Sequence, residues 1–188
     1  MDRKTEIIEA AAHIIGNEGI QSFTTKRLAA RVGISEAALY RHYRGKDEVI
    51  HQVFGHFEQM IGTKIAATVE ASSPAKEKIR EIFQLHKQIF QEYPELVFLL
   101  FSEGSFIDIE GLGPKIKEIL ARKFALMETI IQAGQNAQEI RSDVEAYELG
   151  KMMMGYFRMY LLQLRLDGDM SNLDAYCHNF FVTIDKIL

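Results

Sequence analysis

An all-α chain is predicted: a small three-helix head, a long fourth helix and a larger helical body, about nine helices in all. Three observations carry that prediction. The 188 residues include only three prolines, and long stretches consist of Ala, Leu, Ile, Met, Glu, Lys and Gln, which lose little on entering a helix. Apolar residues recur at spacings of three and four rather than two, and no segment reads as a strand. Glycines, prolines and capping residues interrupt that pattern at helix-length intervals. A hydrophobic content of 47 % supports one large domain, or a small one joined to a medium one.

The first helix is expected over residues 3–18, where Ile7, Ile8, Ala11, Ile14 and Ile15 make one apolar face and Gly16 and Gly19 mark the end. A threonine of the pair Thr24-Thr25 caps a second helix that runs to Val32 and buries Leu28, Ala29 and Val32. Gly33 supplies a tight turn, since glycine takes positive φ at little cost. Ser35 caps a third helix that ends at Gly45. From Lys46 to about Ala71 an apolar period (Val49, Val53, Phe57, Ile61, Ile65, Val69) predicts a long fourth helix. At ~1.5 Å per residue it would reach nearly 40 Å. Ser73 as cap and Pro74 at the first helical position open a fifth helix, to about Glu92. A sixth is expected from Pro94 to about Glu103, then an irregular stretch from Gly104 to Gly113. Pro114 opens a seventh, to about Ala137. Ser142-Asp143-Val144-Glu145 reads as a capping box for an eighth helix ending near Leu166. After Asp167-Gly168-Asp169, Ser171 caps a last helix that reaches Leu188.

Charge is concentrated in one place. Between residues 24 and 46 six cations (Lys26, Arg27, Arg31, Arg41, Arg44, Lys46) face one anion, Glu36, so this segment carries +5 in a chain of −4. A basic island on an acidic protein points to a polyanion met at one surface. The island coincides with the two short helices joined at Gly33, the pattern of a helix-turn-helix whose second helix enters a DNA major groove. Such a helix needs slim residues at its leading end, and Ser35, Glu36, Ala37 and Ala38 supply them. Ser35 suits a base or a phosphate, Glu36 accepts from the cytosine amino group, and the alanines offer methyl contact to thymine. Tyr40, His42, Tyr43 and Lys46 are placed to reach the sugar-phosphate rails, as are Thr25 and Lys26 at the start of the second helix.

These residues resemble a family. Ile-Ile-Glu-Ala-Ala (7–11), Thr-Thr-Lys-Arg-Leu-Ala (24–29), Val-Gly-Ile-Ser (32–35) and Leu-Tyr-Arg-His-Tyr-Arg-Gly-Lys (39–46) are similar to the DNA-binding domain of the TetR family of bacterial transcriptional regulators. The resemblance implies a DNA-binding domain over residues 1–47 and a helical ligand-binding and dimerisation domain over 48–188. It implies helix-2 contacts from Thr25 and Lys26 and base reading from Ser35 to Ala38. Tyr40, Arg41 and His42 would lie at the groove and backbone, and Lys46 on a phosphate. Position 36 departs from the Lys, Arg, Gln or Pro that many members carry, and position 38 from Thr or Ser, so no operator sequence is carried over. The function implied is a ligand-responsive regulator, most often a repressor, that binds a palindromic operator as a homodimer. Ser-Glu-Ala-Ala-Leu-Tyr-Arg-His (35–42) also resembles the nucleoid-occlusion members, which bind DNA and restrain the cell-division tubulin homologue through a protein contact.

Beyond Glu48 the residue mix suggests a pocket for a small hydrophobic or aromatic effector, because methionine and aromatic walls adapt to apolar ligands. The candidates are Phe83, His86 and Phe90 on the fifth helix, and Phe98 and Phe101 on the sixth. Met127 and Ile131 follow on the seventh, and Met152, Met153, Tyr156 and Tyr160 on the eighth, with His86 and Arg158 as polar handles. A second stripe on the eighth helix (Met154, Phe157, Leu161, Leu164), with Tyr176, Phe180 and Ile184 on the last, is surplus apolar surface suited to a four-helix dimer interface.

Other classes find no support. The apolar runs at Leu96–Phe101 and Met152–Phe157 are far too short to span a bilayer. The N-terminus lacks the apolar core of a secretory signal, so a cytoplasmic protein is expected. Cys177 stands alone, which leaves no intrachain disulfide and no cysteine metal site. The six histidines are scattered, and no nucleophile grouping, phosphate loop or metal spacing emerges. No enzyme and no cofactor is expected.

Overall fold

The computed structural model describes residues 2–101 and 103–188, apart from the side chains of Phe98 and Glu103. The described residues form ten α-helices: α1 (Arg3–Glu18), α2 (Thr25–Val32), α3 (Glu36–Tyr40), α4 (Lys46–Glu70), α5 (Ala75–Glu92), α6 (Glu95–Leu99), α7 (Glu103–Phe106), α8 (Leu112–Asn136), α9 (Ala146–Asp167) and α10 (Leu173–Ile187). Short 3-10 turns at Ile20–Ser22 and Met170–Asn172 precede α2 and α10. No strand occurs among the described residues. They divide into two compact units, one comprising residues up to Met60 with Tyr93–Ile116, the other Ile61–Glu92 with Lys117–Leu188.

The first unit is built on α1. Its inward face, Ile7, Ala11, Ile14 and Ile15, is almost fully buried, and Phe23, Leu28, Leu39, Val49 and Ile50 complete the core. The chain returns to this unit at α6, which packs along α1. Gly16 permits the approach, since a Cβ there would lie 2.6 Å from Glu95 Cβ and 2.8 Å from the Glu95 carbonyl oxygen. Phe54 of α4 meets Phe106 of α7 edge-on at 4.9 Å, and His51 Nε2 lies 2.8 Å from the Glu110 carbonyl oxygen. The segment expected to be irregular thus contains a helical turn docked on α4 by a buried phenylalanine.

The second unit packs α5, α9 and α10 around a phenylalanine cluster. The Phe83 ring lies 5.1 Å from Phe157 and 4.6 Å from Phe180, in tilted arrangements. Met127 and Ile131 of α8 approach α9 at Gly150, where a Cβ would stand 3.2 Å from Met127 Cγ. Ion pairs at the rim join α5 to α10, Arg80 to Asp185 at 2.6 Å and Lys87 to Asp174 at 2.6 Å.

Several local expectations are corrected by distant partners. Ser73 does not cap α5: its hydroxyl is buried without a hydrogen bond, and the Ala75 amide donates to Glu139 Oε2 at 2.7 Å. The Ser142–Glu145 capping box does not form: α9 begins at Ala146, so Glu145 stands at the N-cap position, without a side-chain cap bond, rather than three residues into the helix. Pro74 precedes α5, and Ser171 lies in the 3-10 turn, where its amide donates to Asp169. The third helix ends at Tyr40 rather than Gly45, since the chain must turn to bury Tyr43.

Candidate nucleic-acid interface

The two helices of the basic segment are fixed by their own termini. Thr24 Oγ1 accepts from the Arg27 amide at 3.2 Å and Ser35 Oγ from the Ala38 amide at 3.1 Å, so each helix starts on a side-chain cap. Gly33 closes α2 at φ +72°, with its amide on Ala30 O at 3.3 Å and the Ile34 amide on Ala29 O at 3.0 Å. This paired 5→2 and 6→1 closure needs the left-handed conformation, which glycine adopts without the Cβ penalty. Leu28, Ala29, Val32 and Leu39 turn inward and leave the opposite face of both helices in solvent.

That outward face carries most of the expected DNA contacts. Lys26, Ser35, Ala37, Tyr40, Arg41 and His42 are exposed, and Thr25, Glu36 and Ala38 are half-buried beside them. Of the six cations in the segment, Lys26, Arg31, Arg41 and Arg44 are exposed and point charge outward. Arg27 is committed to the protein itself, pairing with Glu18 and donating to the Ser22 carbonyl at 3.2 Å.

One expected contact is corrected here, and another gains a second partner. Tyr43 is 5 % exposed and its hydroxyl is enclosed without a hydrogen bond, so it is a core residue of the first unit rather than a phosphate ligand. Burial, with the charges of Asp2 and Glu48, raises its pKa. Lys46 is half-buried, with Nζ donating to the Ile20 carbonyl at 3.1 Å and standing 5.9 Å over the Phe23 ring. Its first role is to close the 3-10 turn before α2, and a phosphate contact would use the two remaining N–H donors.

Glu36 shows a feature that sequence reading missed. Thr25 Oγ1 donates to Glu36 Oε1 at 2.6 Å and lies 3.3 Å from the Tyr40 hydroxyl. The first residue of α2 is thereby tied to the first and last residues of α3. A hydroxyl and a carboxylate eleven positions apart leave no sequence signal until the turn at Gly33 is folded.

The effector and dimer candidates sort differently from their sequence stripes. Phe157, Leu161, Leu164, Phe180 and Ile184, expected at a subunit interface, are at most 6 % exposed and form the core of the second unit against Phe83. Met152, expected in the pocket, is 55 % exposed. One face of α9 (Met153, Phe157, Leu161, Leu164) points in and another (Met152, Gly155, Met159, Gln163) points out, so the stripe expected in the pocket mixed the faces, and the stripe expected at the subunit interface is the inward one apart from Met154. Met154 and Tyr176 are half-buried. Phe83, Phe90, Met127, Ile131 and Met153 are buried in the second unit. Half-buried Phe101 belongs to the first unit, and the Phe98 side chain lies outside the described residues. Tyr156 and Tyr160 of α9 share a 2.6 Å hydroxyl contact, and Tyr160 stacks on Tyr176 of α10 at 5.3 Å. The hydrogen bond to Tyr156 pushes the Tyr160 pKa up to about 12.

His86 is a polar group set against this core. Its Nδ1 lies 2.7 Å from the Ile82 carbonyl oxygen, which can only accept, so Nδ1 carries the proton. Burial, with the charge of Lys123, lowers its pKa from 6.5 to about 4, so the ring is neutral at pH 7. The unfolded chain takes up a proton near pH 6.5 and the folded one does not. The associated stability, up to roughly 3 kcal/mol, is therefore present above pH 6.5 and lost as pH falls towards 4. In His86→Gln, which keeps a donor for Ile82, thermal unfolding between pH 7 and 4.5 is expected to lose that part of the acid slope. An unchanged slope would assign the acid sensitivity elsewhere. Cys177 is buried, and desolvation pushes its thiol up to about 11, which suits a packing role. Among the described residues no group of three or more potential metal ligands occurs, and no helix is long and apolar enough to cross a membrane.

Residues 7–53 match the family described as bacterial regulatory proteins, tetR family. Over 155 residues the chain is 26 % identical to the nucleoid occlusion factor SlmA of Vibrio vulnificus (strain YJ016), covering 82 % of this chain and 79 % of that protein. Its fold is similar to that of the fatty acid degradation regulator FadR from Bacillus halodurans, with a TM-score of 0.82 at 16 % identity over 98 % of this chain and 95 % of that one. The transcriptional regulator FadR from Bacillus subtilis, solved in complex with stearoyl-CoA, superposes with a TM-score of 0.75 at 17 % identity, covering 96 % of each chain.

Proposed function

We propose that this chain, a DNA-binding regulator of the TetR family of bacterial regulatory proteins, is a ligand-responsive repressor that binds a palindromic operator as a homodimer in the cytoplasm. The observation that carries the reading is the outward face of the helix pair α2 and α3, where Lys26, Arg31, Ser35 and Ala37 are exposed, followed directly after α3 by exposed Arg41 and Arg44. Phosphates would be met by the cations and by Thr25 and Tyr40, and base edges by Ser35, Glu36, Ala37 and Ala38. In functional terms residues 1–47 are the DNA-binding part and 48–188 the regulatory part.

A small apolar effector suits the second part. Phe83, Phe90, Met127, Ile131 and Met153 offer aromatic and methionine walls with His86 as the polar handle. A long-chain acyl compound is one member of that class, and the Bacillus subtilis fold neighbour was solved with stearoyl-CoA. Residues 93–116 supply a path to the DNA-binding helices, because α6 packs on α1 and α7 on α4 within the first unit. An effector releases DNA only if it prefers the arrangement that DNA does not, since equal affinity for both shifts nothing.

A second copy of the chain suits the outward face of α9 and α10, where Met152, Met159 and Val182 are exposed beside Tyr156, Tyr160 and Tyr176. Two such subunits would set their α3 helices on half-sites about 34 Å apart, or a multiple of it. Replacing Met152 and Met159 together by lysine is expected to give a monomer with unchanged helical content and a large loss of operator affinity. Sedimentation of a dimer by that variant would place the interface elsewhere.

The resemblance to nucleoid occlusion factors favours a second reading, in which DNA-bound protein acts on a division protein. Selection of duplexes from random DNA, followed by release with candidate ligands, tests the first reading. Capture of the cell-division tubulin homologue only in the presence of the selected duplex would favour the second.

A further inference from the structure

We infer that Thr25 and Glu36 form an exchangeable donor–acceptor pair, through which the base met by Glu36 decides whether a backbone contact by Thr25 can form. The inference rests on the DNA-binding reading above and adds a specificity mechanism to it. The Thr25 hydroxyl has one proton, and at 2.6 Å that proton goes to Glu36 Oε1, since a carboxylate only accepts. The contact 3.3 Å away must then run from the Tyr40 hydroxyl to Thr25 Oγ1. A relay from Tyr40 to Thr25 to Glu36 therefore lies across the face expected to meet DNA, with Tyr40 51 % exposed at one end. In the absence of DNA the donor that should hold a phosphate is occupied by the acceptor that should read a base.

Release of the Thr25 hydroxyl to a phosphate leaves Glu36 Oε1 short of a donor. Glu36 needs a replacement donor, and in the major groove cytosine presents its N4 amino group as one, whereas guanine and the thymine carbonyl present acceptors. Adenine offers an amino group beside the N7 acceptor, which repels the second carboxylate oxygen. When cytosine takes over Glu36, the Thr25 hydroxyl turns to a phosphate oxygen and two contacts form together. When another base lies there, Thr25 stays on Glu36 and both contacts are lost. Discrimination at one base pair is thereby amplified by a residue that touches no base.

The test uses the full chain with the duplex selected from random DNA. The contacted pair is the position whose preference disappears in Glu36→Ala, and a second duplex has that pair inverted in both half-sites. Wild-type protein should prefer the selected duplex by on the order of tenfold per contacted pair in fluorescence anisotropy. Thr25→Val should lose affinity several-fold for the selected duplex and almost none for the inverted one, so that the preference shrinks. Thr25→Ser should restore it, and Glu36→Gln should move the preference from cytosine to adenine, because an amide pairs with adenine N6 and N7. Unfolding temperatures of all four variants within a few degrees of wild type make these comparisons valid, and the serine and glutamine variants give the readout if valine or alanine fails to fold. Equal losses on both duplexes in Thr25→Val, or a preference unchanged by Glu36→Ala, would overturn the exchange while leaving DNA binding intact. If wild-type protein selects no duplex, the DNA-binding reading itself fails and the exchange fails with it.

Discussion

Gly16→Ala is expected to destabilise the chain by about 2 kcal/mol, although alanine is the better helix former by about 1 kcal/mol. The reason is what the new methyl would meet. It would lie 2.6 Å from Glu95 Cβ, 2.8 Å from the Glu95 carbonyl oxygen and 3.0 Å from Glu95 Cα. The carbonyl oxygen and Cα are main-chain atoms at the start of α6, so no flexible side-chain tip can move aside. Helix α1 cannot retreat either, because Ile7, Ala11, Ile14 and Ile15 anchor it in the core. The two helices must part, and the docking of residues 93–116 weakens. Gly62→Ala is the control, in mid-α4 with open space around its Cβ, and is expected to stabilise by about 1 kcal/mol. Calorimetry should show opposite shifts, at roughly 2–4 °C per kcal/mol for a chain of this size. A neutral Gly16→Ala would mean that α1 and α6 do not approach as closely as described. If residues 93–116 carry the effector signal, Gly16→Ala should also reduce ligand-induced release of DNA.

The second large effect concerns charge. Lys26→Glu combined with Arg41→Glu is expected to weaken binding to every duplex by roughly a hundredfold or more at moderate salt, since each change removes a phosphate partner and adds a repulsive charge. The slope of log affinity against log salt should fall by about one for each phosphate contact removed. Both residues are exposed, so stability should change little. The same reversal at exposed Lys117 on α8 should leave DNA binding unaltered. Lys46 is a less clean probe than its basic neighbours, because Nζ closes the turn at Ile20. Lys46→Met should lower the unfolding temperature, and only a loss of affinity beyond that effect measures a phosphate contact.

Local chemistry was legible in the sequence around the turn at Gly33, where each residue and its partner lie within a few positions. Thr24 and Ser35 cap α2 and α3 by bonds to the third residue onward, and Gly33 takes the left-handed conformation required of it. The ends of α1 and α4 follow from their periods and neighbouring glycines and serines. What was not legible depends on distant partners. Glu139 replaces Ser73 as the cap of α5 from sixty-four positions away. Gly16 read as a helix stop, whereas its missing side chain is what admits Glu95. On α9 the period shows that faces exist but not which one is inward, and the Phe83 and Phe180 rings decide that in favour of Phe157. The basic face was readable because it is contiguous. The relay that joins Thr25 to Glu36 within it was not, since it forms across the turn.

The most direct test of the central claim is the affinity of purified protein for a duplex selected from random DNA and for a scrambled duplex, followed across a salt series. Specific recognition through α2 and α3 predicts parallel or nearly parallel negative slopes, with the selected duplex bound on the order of a thousandfold more tightly throughout. It also predicts collapse of both lines in the Lys26→Glu, Arg41→Glu variant. Selection that enriches no sequence, or a variant that binds as wild type does, would contradict it.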